Sequence, residues 1–239
     1  MNAPFANPAI PSERAHRVSL LNDLPADHLL IHEIYKSIQG ESQYAGLPCV
    51  FVRTTVCDFR CSWCDTPHAF NQGERQSLRD VFDRVLSFNC PLVELTGGEP
   101  LLQAAAIPLM TRLCDAGKTV LLETSGGRDL TPVDRRVHVI MDLKCPDSGE
   151  CDSNYWPNLD VLKSSDEVKF VISSRKDWDW TEATIRKHDL SRRFHVLVSG
   201  TYGSVASADL VDWVLASGLN VRFQLQLHKY VWDPKARGV

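Results

Sequence analysis

Short runs of apolar and β-branched residues alternate along this chain with longer segments whose apolar residues recur at helical spacing. The short runs predict β-strands and the longer segments predict amphipathic helices. Strands that alternate with helices are typical of a parallel α/β sheet, so we predict one such sheet in a single domain. The strands are expected at 49–56, 91–96, 119–123, 137–143, 167–172, 194–198 and 220–226, and a further short apolar run covers 29–34. The helices are expected at 74–88, 108–117, 178–190 and 207–217.

Two segments lack this periodicity. Residues 1–27 hold four prolines among alanine, asparagine and charged residues, which predicts a mobile N-terminal extension. Residues 35–42 are mostly polar and contain a glycine, so we expect a loop there, either a surface turn or a pocket wall that buries Gln39 and Glu41. The remaining residues, 28–239, are expected to form the core domain, and an apolar content of 44% is enough to fill it.

Polar or glycine-rich clusters directly follow predicted strands. The carboxyl ends of parallel strands converge on one edge of a sheet or barrel, where ligands bind. We therefore expect these clusters to share one site. They are the cysteines after Val56, the stretch Gly97-Gly98-Glu99, Ser125, Lys144, the pair Ser199-Gly200, and His228-Lys229-Tyr230.

The first of these clusters places three thiols on one short loop, at Cys57, Cys61 and Cys64, with no fourth cysteine nearby. An iron–sulfur cubane on these residues would keep one iron open to a small molecule. A structural zinc ion wants four protein ligands, and His68 is a candidate for the fourth. On this loop alone, both interpretations stay open.

Composition narrows the possible partners. The formal charge is −4, and no basic run or stripe is present, which argues against nucleic acid or a membrane surface. No apolar stretch is long enough for a membrane span and no export signal precedes the core, so we predict a cytoplasmic protein with reduced thiols. Arg53 lies inside an apolar strand, where a guanidinium usually has an anionic partner.

Two of the motifs, the Cys-x3-Cys-x2-Cys loop at 57–64 and Gly-Gly-Glu-Pro at 97–100, resemble those of the radical S-adenosylmethionine superfamily. Within it, the chain from about Ile31 onward looks most like the 7-carboxy-7-deazaguanine synthase family. That closer resemblance rests on the stretches 37–41, 64–66, 96–103, 123–126, 142–146 and 226–230. In this family Val56 and Ser42 stand where many members have glycine.

The resemblance implies a partial or modified (β/α) barrel, often a homodimer, that uses a 4Fe–4S cluster, S-adenosylmethionine and Mg²⁺. The cluster ligands would be Cys57, Cys61 and Cys64, and Thr66 would contact the magnesium. Positions near S-adenosylmethionine would be Trp63, Asp65, Gly98, Glu99, Ser125, Asp142, Lys144 and Ser199. Positions that bind the substrate would be Ile38, Gln39, Gly40, Glu41, Arg53, Thr96, His228 and Lys229.

The reaction implied is the conversion of 6-carboxy-5,6,7,8-tetrahydropterin to 7-carboxy-7-deazaguanine with loss of ammonia, a lyase step of queuosine biosynthesis for tRNA modification. A 5′-deoxyadenosyl radical would start it, with the electron supplied by a flavodoxin or ferredoxin. One alternative is a radical activase of a partner protein, although such activases are not expected to combine 39–41, Arg53 and 228–230. The other alternative is a zinc-stabilised interaction module in which His68 completes the zinc site.

Overall fold

The computed structural model describes residues 11–234 and 236–239, and within them nine strands form one sheet. The strands are β1 (His28–Ile38), β2 (Pro48–Thr54), β3 (Glu74–Ser77), β4 (Leu92–Gly97), β5 (Thr119–Thr124), β6 (His138–Asp142), β7 (Glu167–Ile172), β8 (His195–Gly200) and β9 (Arg222–Phe223). The α-helices are α1 (Leu78–Ser87), α2 (Ala106–Asp115), α3 (Arg175–Lys187), α4 (Leu190–Arg193), α5 (Ser207–Ser217) and α6 (His228–Val231).

The strand order is β3-β1-β2-β4-β5-β6-β7-β8-β9. From β2 to β9 every neighbouring pair is parallel, as the alternation of strands and helices predicts. β1 and β3 instead add an antiparallel edge beside β2. The described strands at the two ends, β3 and β9, do not pair with each other, so the sheet is an open, partial barrel.

The antiparallel edge is where the sequence predictions differ most from the structure. The expected loop over 35–42 is wrong in its first half, because β1 continues to Ile38 and pairs with β2 along its length. The helix expected from Glu74 begins only at Leu78, after Ser77 as N-cap, whose Oγ accepts a hydrogen bond from Asp80 N at 3.1 Å. Residues 74–77 pair with β1 as β3, a long-range contact that local periodicity does not report.

Smaller differences occur near the C-terminus. β9 has two residues, whereas the sequence pattern predicts a strand over 220–226. α3 begins at Arg175, three residues before the predicted start, because Ser174 caps it by accepting a hydrogen bond from Asp177 N. The bounds of α5 match the prediction.

Residues Ser12–Leu21, inside the predicted N-terminal extension, form a 3-10 helix. Arg14 forms an ion pair with the buried Glu150 at 2.8 Å, and Arg17 donates to the carbonyl oxygen of Asp58 at 2.8 Å. Long polar side chains, rather than an apolar face, hold this segment on the core, which explains why helical periodicity is missing from its sequence. Residues 1–10 of the predicted extension lie outside the described part of the chain.

The two faces of the sheet bury different cores. Side chains alternate between the faces of a strand, so Val50 and Val52 face the helices while Cys49 and Phe51 face the opposite side. The helix-side core is large and includes Leu109, Met110, Met141 and many valines. The opposite face has a small apolar cluster at the amino ends of the strands, completed by Leu92, Leu121 and Ile140.

Candidate active site

On the face opposite the helices, the strands change from apolar to charged residues as they approach their carboxyl ends. Residues two apart share a face, so Arg53 follows Phe51, Glu123 follows Leu121, and Asp142 follows Ile140. These charged side chains line an open cavity of about 280 Å³ at the carboxyl edge of the parallel strands. Of the six clusters predicted to converge on this edge, all but the pair Ser199-Gly200 contribute residues to the lining of the cavity.

The cysteine loop forms one wall of the cavity. It leaves β2 after Thr54, and the amide of Val56 donates to the carbonyl oxygen of Ala69 at 2.8 Å, which closes the loop at its far end. Cys57, Cys61 and Cys64 are free thiols and all three line the cavity, whereas none of the other five cysteines, all in the described chain, does so. Three thiols facing an open space fit a cubane with one exposed iron.

Burial raises the pKa of two of these thiols. Burial raises the pKa of Cys57, and the nearby carboxylate of Glu99 raises it further. Burial also raises the pKa of Cys61, against the opposing charge of Lys144. A metal cluster that takes up these thiols must therefore displace their protons, as metal binding to cysteine generally does.

The geometry does not support the zinc alternative. A tetrahedral zinc ion with Zn–S bonds of about 2.3 Å would hold its ligand atoms about 3.8 Å apart. Across the residues that the structure describes, His68 groups within 4.8 Å with His32 and Glu33, and not with any two of the cysteines. Among the described residues the three thiols form no such group either, which does not count against a cubane, because a cubane separates its thiolates farther than one zinc ion does.

The glycine-rich turn after β4 packs tightly on the cysteine loop. A Cβ at Gly98 would lie 2.0 Å from the carbonyl oxygen of Val56, and Gly97 has a φ of +125° with no room for a side chain. The amide of Glu99 then donates to the carbonyl oxygen of Val56 at 2.8 Å. The turn therefore requires both glycines, and it sets the position from which Cys57 enters the cavity.

The carboxylate of Glu99 is fully buried and organises the start of the loop after β5. It accepts hydrogen bonds from Ser125 N at 2.7 Å and Ser125 Oγ at 2.5 Å, from Thr124 Oγ1 at 2.9 Å, and from Leu101 N at 3.0 Å. Burial raises the pKa of Glu99, although these donors partly offset the effect. Glu99 thus fixes Ser125 at the wall of the cavity.

A buried lysine links several carboxylates deeper in the cavity. Lys169 Nζ lies 2.6 Å from Glu41 Oε2, 2.5 Å from Glu123 Oε1 and 3.8 Å from Asp142 Oδ1. Burial alone would lower the pKa of Lys169, but the charges of these carboxylates hold it well above its usual value. Burial alone would raise the pKa of Glu41, but Lys169 keeps it below its usual range.

Glu94 lies beside this group, and its pKa is shifted in the opposite direction to that of Glu41. Its carboxyl is buried, and burial together with the charge of Glu123 raises its pKa well above the usual value. Gln39 Nε2 donates to Glu94 Oε2. Burial therefore favours the protonated form of Glu94, which can donate a hydrogen bond.

The predicted 226–230 cluster reaches the same site from the C-terminal end. Lys229 Nζ lies 2.6 Å from Asp65 Oδ1, and Gln226 Nε2 donates both to Asp65 and to Glu41, at 2.8 and 3.0 Å. A Cβ at Gly40 would lie 2.3 Å from His228 Nδ1, so the histidine packs directly on that glycine. These contacts join the cysteine loop, the end of β1 and α6.

Comparisons with known proteins agree with this geometry. The family model of the radical SAM superfamily matches residues 51–199. A 7-carboxy-7-deazaguanine synthase of Koribacter versatilis is 43% identical over 87% of this chain and 99% of its own length, and one of Chlorobaculum tepidum is 42% identical over 88% and 97%. The chain belongs to the 7-carboxy-7-deazaguanine synthase family of the radical SAM superfamily. A crystal structure of QueE from Escherichia coli shares the fold, with a TM-score of 0.64 and 18% identity over 82% of this chain and 94% of that one.

Membership of the radical SAM superfamily implies a 4Fe–4S cluster and S-adenosylmethionine as cofactors. Eighteen of the 20 positions that the sequence resemblance assigned to the cofactors and the substrate line the cavity. The two that do not are Glu99, whose carboxylate holds Ser125 by hydrogen bonds, and Ser199, which is buried with no hydrogen-bond partner for its Oγ in the described structure. Arg53 has the anionic partner expected for it, since its Nε donates to Glu33 Oε1 at 2.8 Å.

Sequence reasoning missed several residues that line the site of this radical SAM protein. Glu94, Glu123 and Lys169 lie within apolar strands, as Arg53 does, and the same signal of a charge in an apolar run would have identified them. Residues 233, 234 and 236–239 also line the cavity, and no pattern in the sequence indicates this. Among the described helices, none is both long and apolar enough to cross a membrane.

Proposed function

We propose that this protein converts 6-carboxy-5,6,7,8-tetrahydropterin to 7-carboxy-7-deazaguanine with loss of ammonia, as a carbon–nitrogen lyase of queuosine biosynthesis. The main support is that three thiols and a charged wall share one cavity, in a chain 43% identical to a curated 7-carboxy-7-deazaguanine synthase. The overall reaction needs no oxidant, because the product and ammonia together contain all the atoms of the substrate. When bound, S-adenosylmethionine and the reduced cluster supply the hydrogen-abstracting chemistry.

The proposed cofactor side of the cavity is the wall made by the cysteine loop and the turns after β4 and β5. Cys57, Cys61 and Cys64 would hold three irons and leave the fourth for the amino acid part of S-adenosylmethionine. Gly98 offers backbone without a side chain, and Ser125 is fixed by Glu99. The other residues assigned to this side are Trp63, Asp65, Asp142, Lys144 and Ser199, of which Lys144 forms an ion pair with Asp142 at 2.6 Å.

The proposed substrate side is the charged wall made by β1, β2, β4 and α6. A carboxytetrahydropterin presents N–H donors along its aminopyrimidinone edge, which suit acceptor carboxylates such as Glu41. A guanidinium such as that of Arg53 matches a planar ring or a carboxylate better than an ammonium would. The other positions assigned to the substrate are Ile38, Gln39, Gly40, Thr96, His228 and Lys229.

We assign a magnesium ion to the substrate carboxylate, with Thr66 as its protein contact. Magnesium prefers oxygen ligands and keeps several waters, so one hydroxyl and the substrate oxygens would suffice. Thr66 lines the cavity directly after Asp65, at its boundary with solvent.

The test of the proposed activity is incubation of the reduced, reconstituted protein with S-adenosylmethionine, Mg²⁺ and the carboxytetrahydropterin, with mass detection of 7-carboxy-7-deazaguanine. Cys61→Ala should abolish the brown chromophore, S-adenosylmethionine cleavage and product formation together. Cys114→Ala is the matched control, since that thiol is half-buried outside the cavity and should retain all three. Product from Cys61→Ala at the wild-type rate, or none from the fully loaded wild type, would contradict the proposal.

The proposal extends to the partners of the protein. A flavodoxin- or ferredoxin-type protein would reduce the cluster, and Ser62 and Asp65 on the cysteine loop are exposed where a donor would approach. We also propose a cytoplasmic homodimer, for which light scattering should give twice the monomer mass. A monomer mass at micromolar concentration would count against the dimer and would leave the proposed reaction unaffected.

A further inference from the structure

A second group of candidate metal ligands lies beside the cavity, away from the cysteines. One ligand atom each from His32, Glu33 and His68 falls within 4.8 Å of the other two. The two imidazole rings have centroids 4.9 Å apart and are tilted by 47°. Neither histidine has a role in the proposed reaction, and all three side chains are partly buried.

Neighbouring residues of a strand normally point to opposite faces, so His32 and Glu33 should not share a site. Here the register of β1 with β2 shifts between Ile31 and Glu33, which marks a β-bulge at His32. A bulge redirects a side chain in this way, and it brings both ligand groups to the same side of β1. His68 approaches from the 3-10 helix Pro67–Phe70 that follows the cysteine loop.

Hydrogen bonds already orient two of the three ligands. His32 Nδ1 lies 2.6 Å from the carbonyl oxygen of Gln72, so this nitrogen donates and Nε2 keeps its lone pair. Glu33 Oε1 accepts from Arg53 Nε at 2.8 Å, which leaves Oε2 available. Metal-binding histidines and carboxylates are typically held by such outer hydrogen bonds.

We propose that His32, Glu33 and His68 bind a divalent transition-metal ion of the zinc class, at a site separate from both the cluster and the magnesium. Two imidazoles and one carboxylate suit zinc or cobalt, whereas magnesium prefers an all-oxygen set. Because Glu33 and His68 also line the cavity, the ion connects β1 to the segment after the cysteines at the rim of the site. Arg53 forms an ion pair with Glu33, and its positive charge lowers the affinity of the site for a metal cation.

The test is zinc K-edge absorption spectroscopy of cluster-loaded protein given one equivalent of zinc, a measurement that the iron does not obscure. The expected first shell contains only nitrogen and oxygen, at about 2.0–2.1 Å, with imidazole outer-shell scattering. A sulfur shell at about 2.3 Å would place the zinc on cysteines and overturn the proposal. So would the absence of bound zinc after equilibrium dialysis at millimolar concentration.

Variants make the assignment specific. His32→Ala and His68→Ala should each weaken zinc binding in equilibrium dialysis at least tenfold, while His195→Ala, on an exposed histidine of β8, should not change it. Circular dichroism and iron content confirm that each variant is folded and loaded. Wild-type zinc affinity in both His32→Ala and His68→Ala would refute the site. Zinc binding is measured without turnover, so this test does not depend on the proposed reaction.

Discussion

Removing the buried cation at Lys169 should destabilise the protein strongly. The side chain is 5% exposed, and Lys169→Met, which keeps most of its volume, would leave Glu41 and Glu123 in the cavity without their shared partner. Breaking a buried ion pair by removing one partner costs about 3–5 kcal/mol. Because the Glu123 side chain is 26% exposed, we take the lower end, about 3 kcal/mol. In a chain of this size that corresponds to a fall in Tm of about 6–12 °C.

The pH dependence separates this effect from simple loss of packing. In the wild type, Lys169 keeps the pKa of Glu41 below its usual value, so the contribution of Glu41 to stability is present at neutral pH and is lost only as the pH falls into the acid range. Without Lys169, burial would raise the pKa of Glu41 above its unfolded value, and the variant would lose stability as the pH rises through that raised pKa. The difference in Tm should therefore be larger at pH 8 than at pH 5.5.

The assay is calorimetric Tm under anaerobic conditions at matched cluster loading, at both pH values. Lys176→Met is the control, because Lys176 forms an ion pair with Asp147 on the surface and its side chain is 68% exposed. Exposed ion pairs of this kind contribute little to stability. Equal losses for Lys169→Met and Lys176→Met, or a loss for Lys169→Met that does not change with pH, would show that Lys169 is not the counter-ion of these carboxylates.

Three further substitutions test other parts of the site. Glu94→Gln should change Tm by no more than a few degrees at pH 7, because burial raises the pKa of that carboxyl and favours its neutral form; a large loss in calorimetry would mean that the carboxyl is ionised. Gly98→Ala should lower iron content after reconstitution, because its Cβ would clash with Val56 O, whereas Gly200→Ala, with its nearest neighbour at 3.7 Å, should not; equal iron in both would contradict this reasoning. Thr66→Ala should weaken the magnesium dependence of turnover with the iron retained, and loss of iron instead would make Thr66 structural.

The predictions that the structure confirms rest on features that can be recognised within short stretches of the sequence. Apolar runs and the motifs directly after them place the cysteine loop and the 97–99 turn at one sheet edge, because strand direction alone determines that edge. The antiparallel edge formed by β1 and β3 could not be obtained in this way. Its polar residues are partly buried, some by strand pairing and some because they line the cavity. The spacing of apolar residues along the sequence indicates neither the pairing nor the cavity.

The charged residues that line the cavity were partly predictable. Arg53 was identified as a charge inside an apolar strand, and Glu94, Glu123 and Lys169 satisfy the same criterion on β4, β5 and β7. What the sequence does not contain is their mutual distance, which depends on the register of neighbouring strands. Val168 pairs with Met141 and Leu121 with His138, and such pairings arise only in the assembled sheet.

The backbone is strained at two positions, one of which opens the cysteine loop. Many members have glycine at the positions of Val56 and Ser42, and here both residues have positive φ, +79° and +64°. A β-branched residue in this region is unfavourable and persists only where its surroundings enforce it. At Val56 the enforcement is visible, because its amide donates to Ala69 and its carbonyl accepts from the amide of Glu99, both at 2.8 Å. The conformation that delivers Cys57 to the cavity is therefore imposed by the turn after β4 and by the segment after the cysteines, rather than by the residue that adopts it.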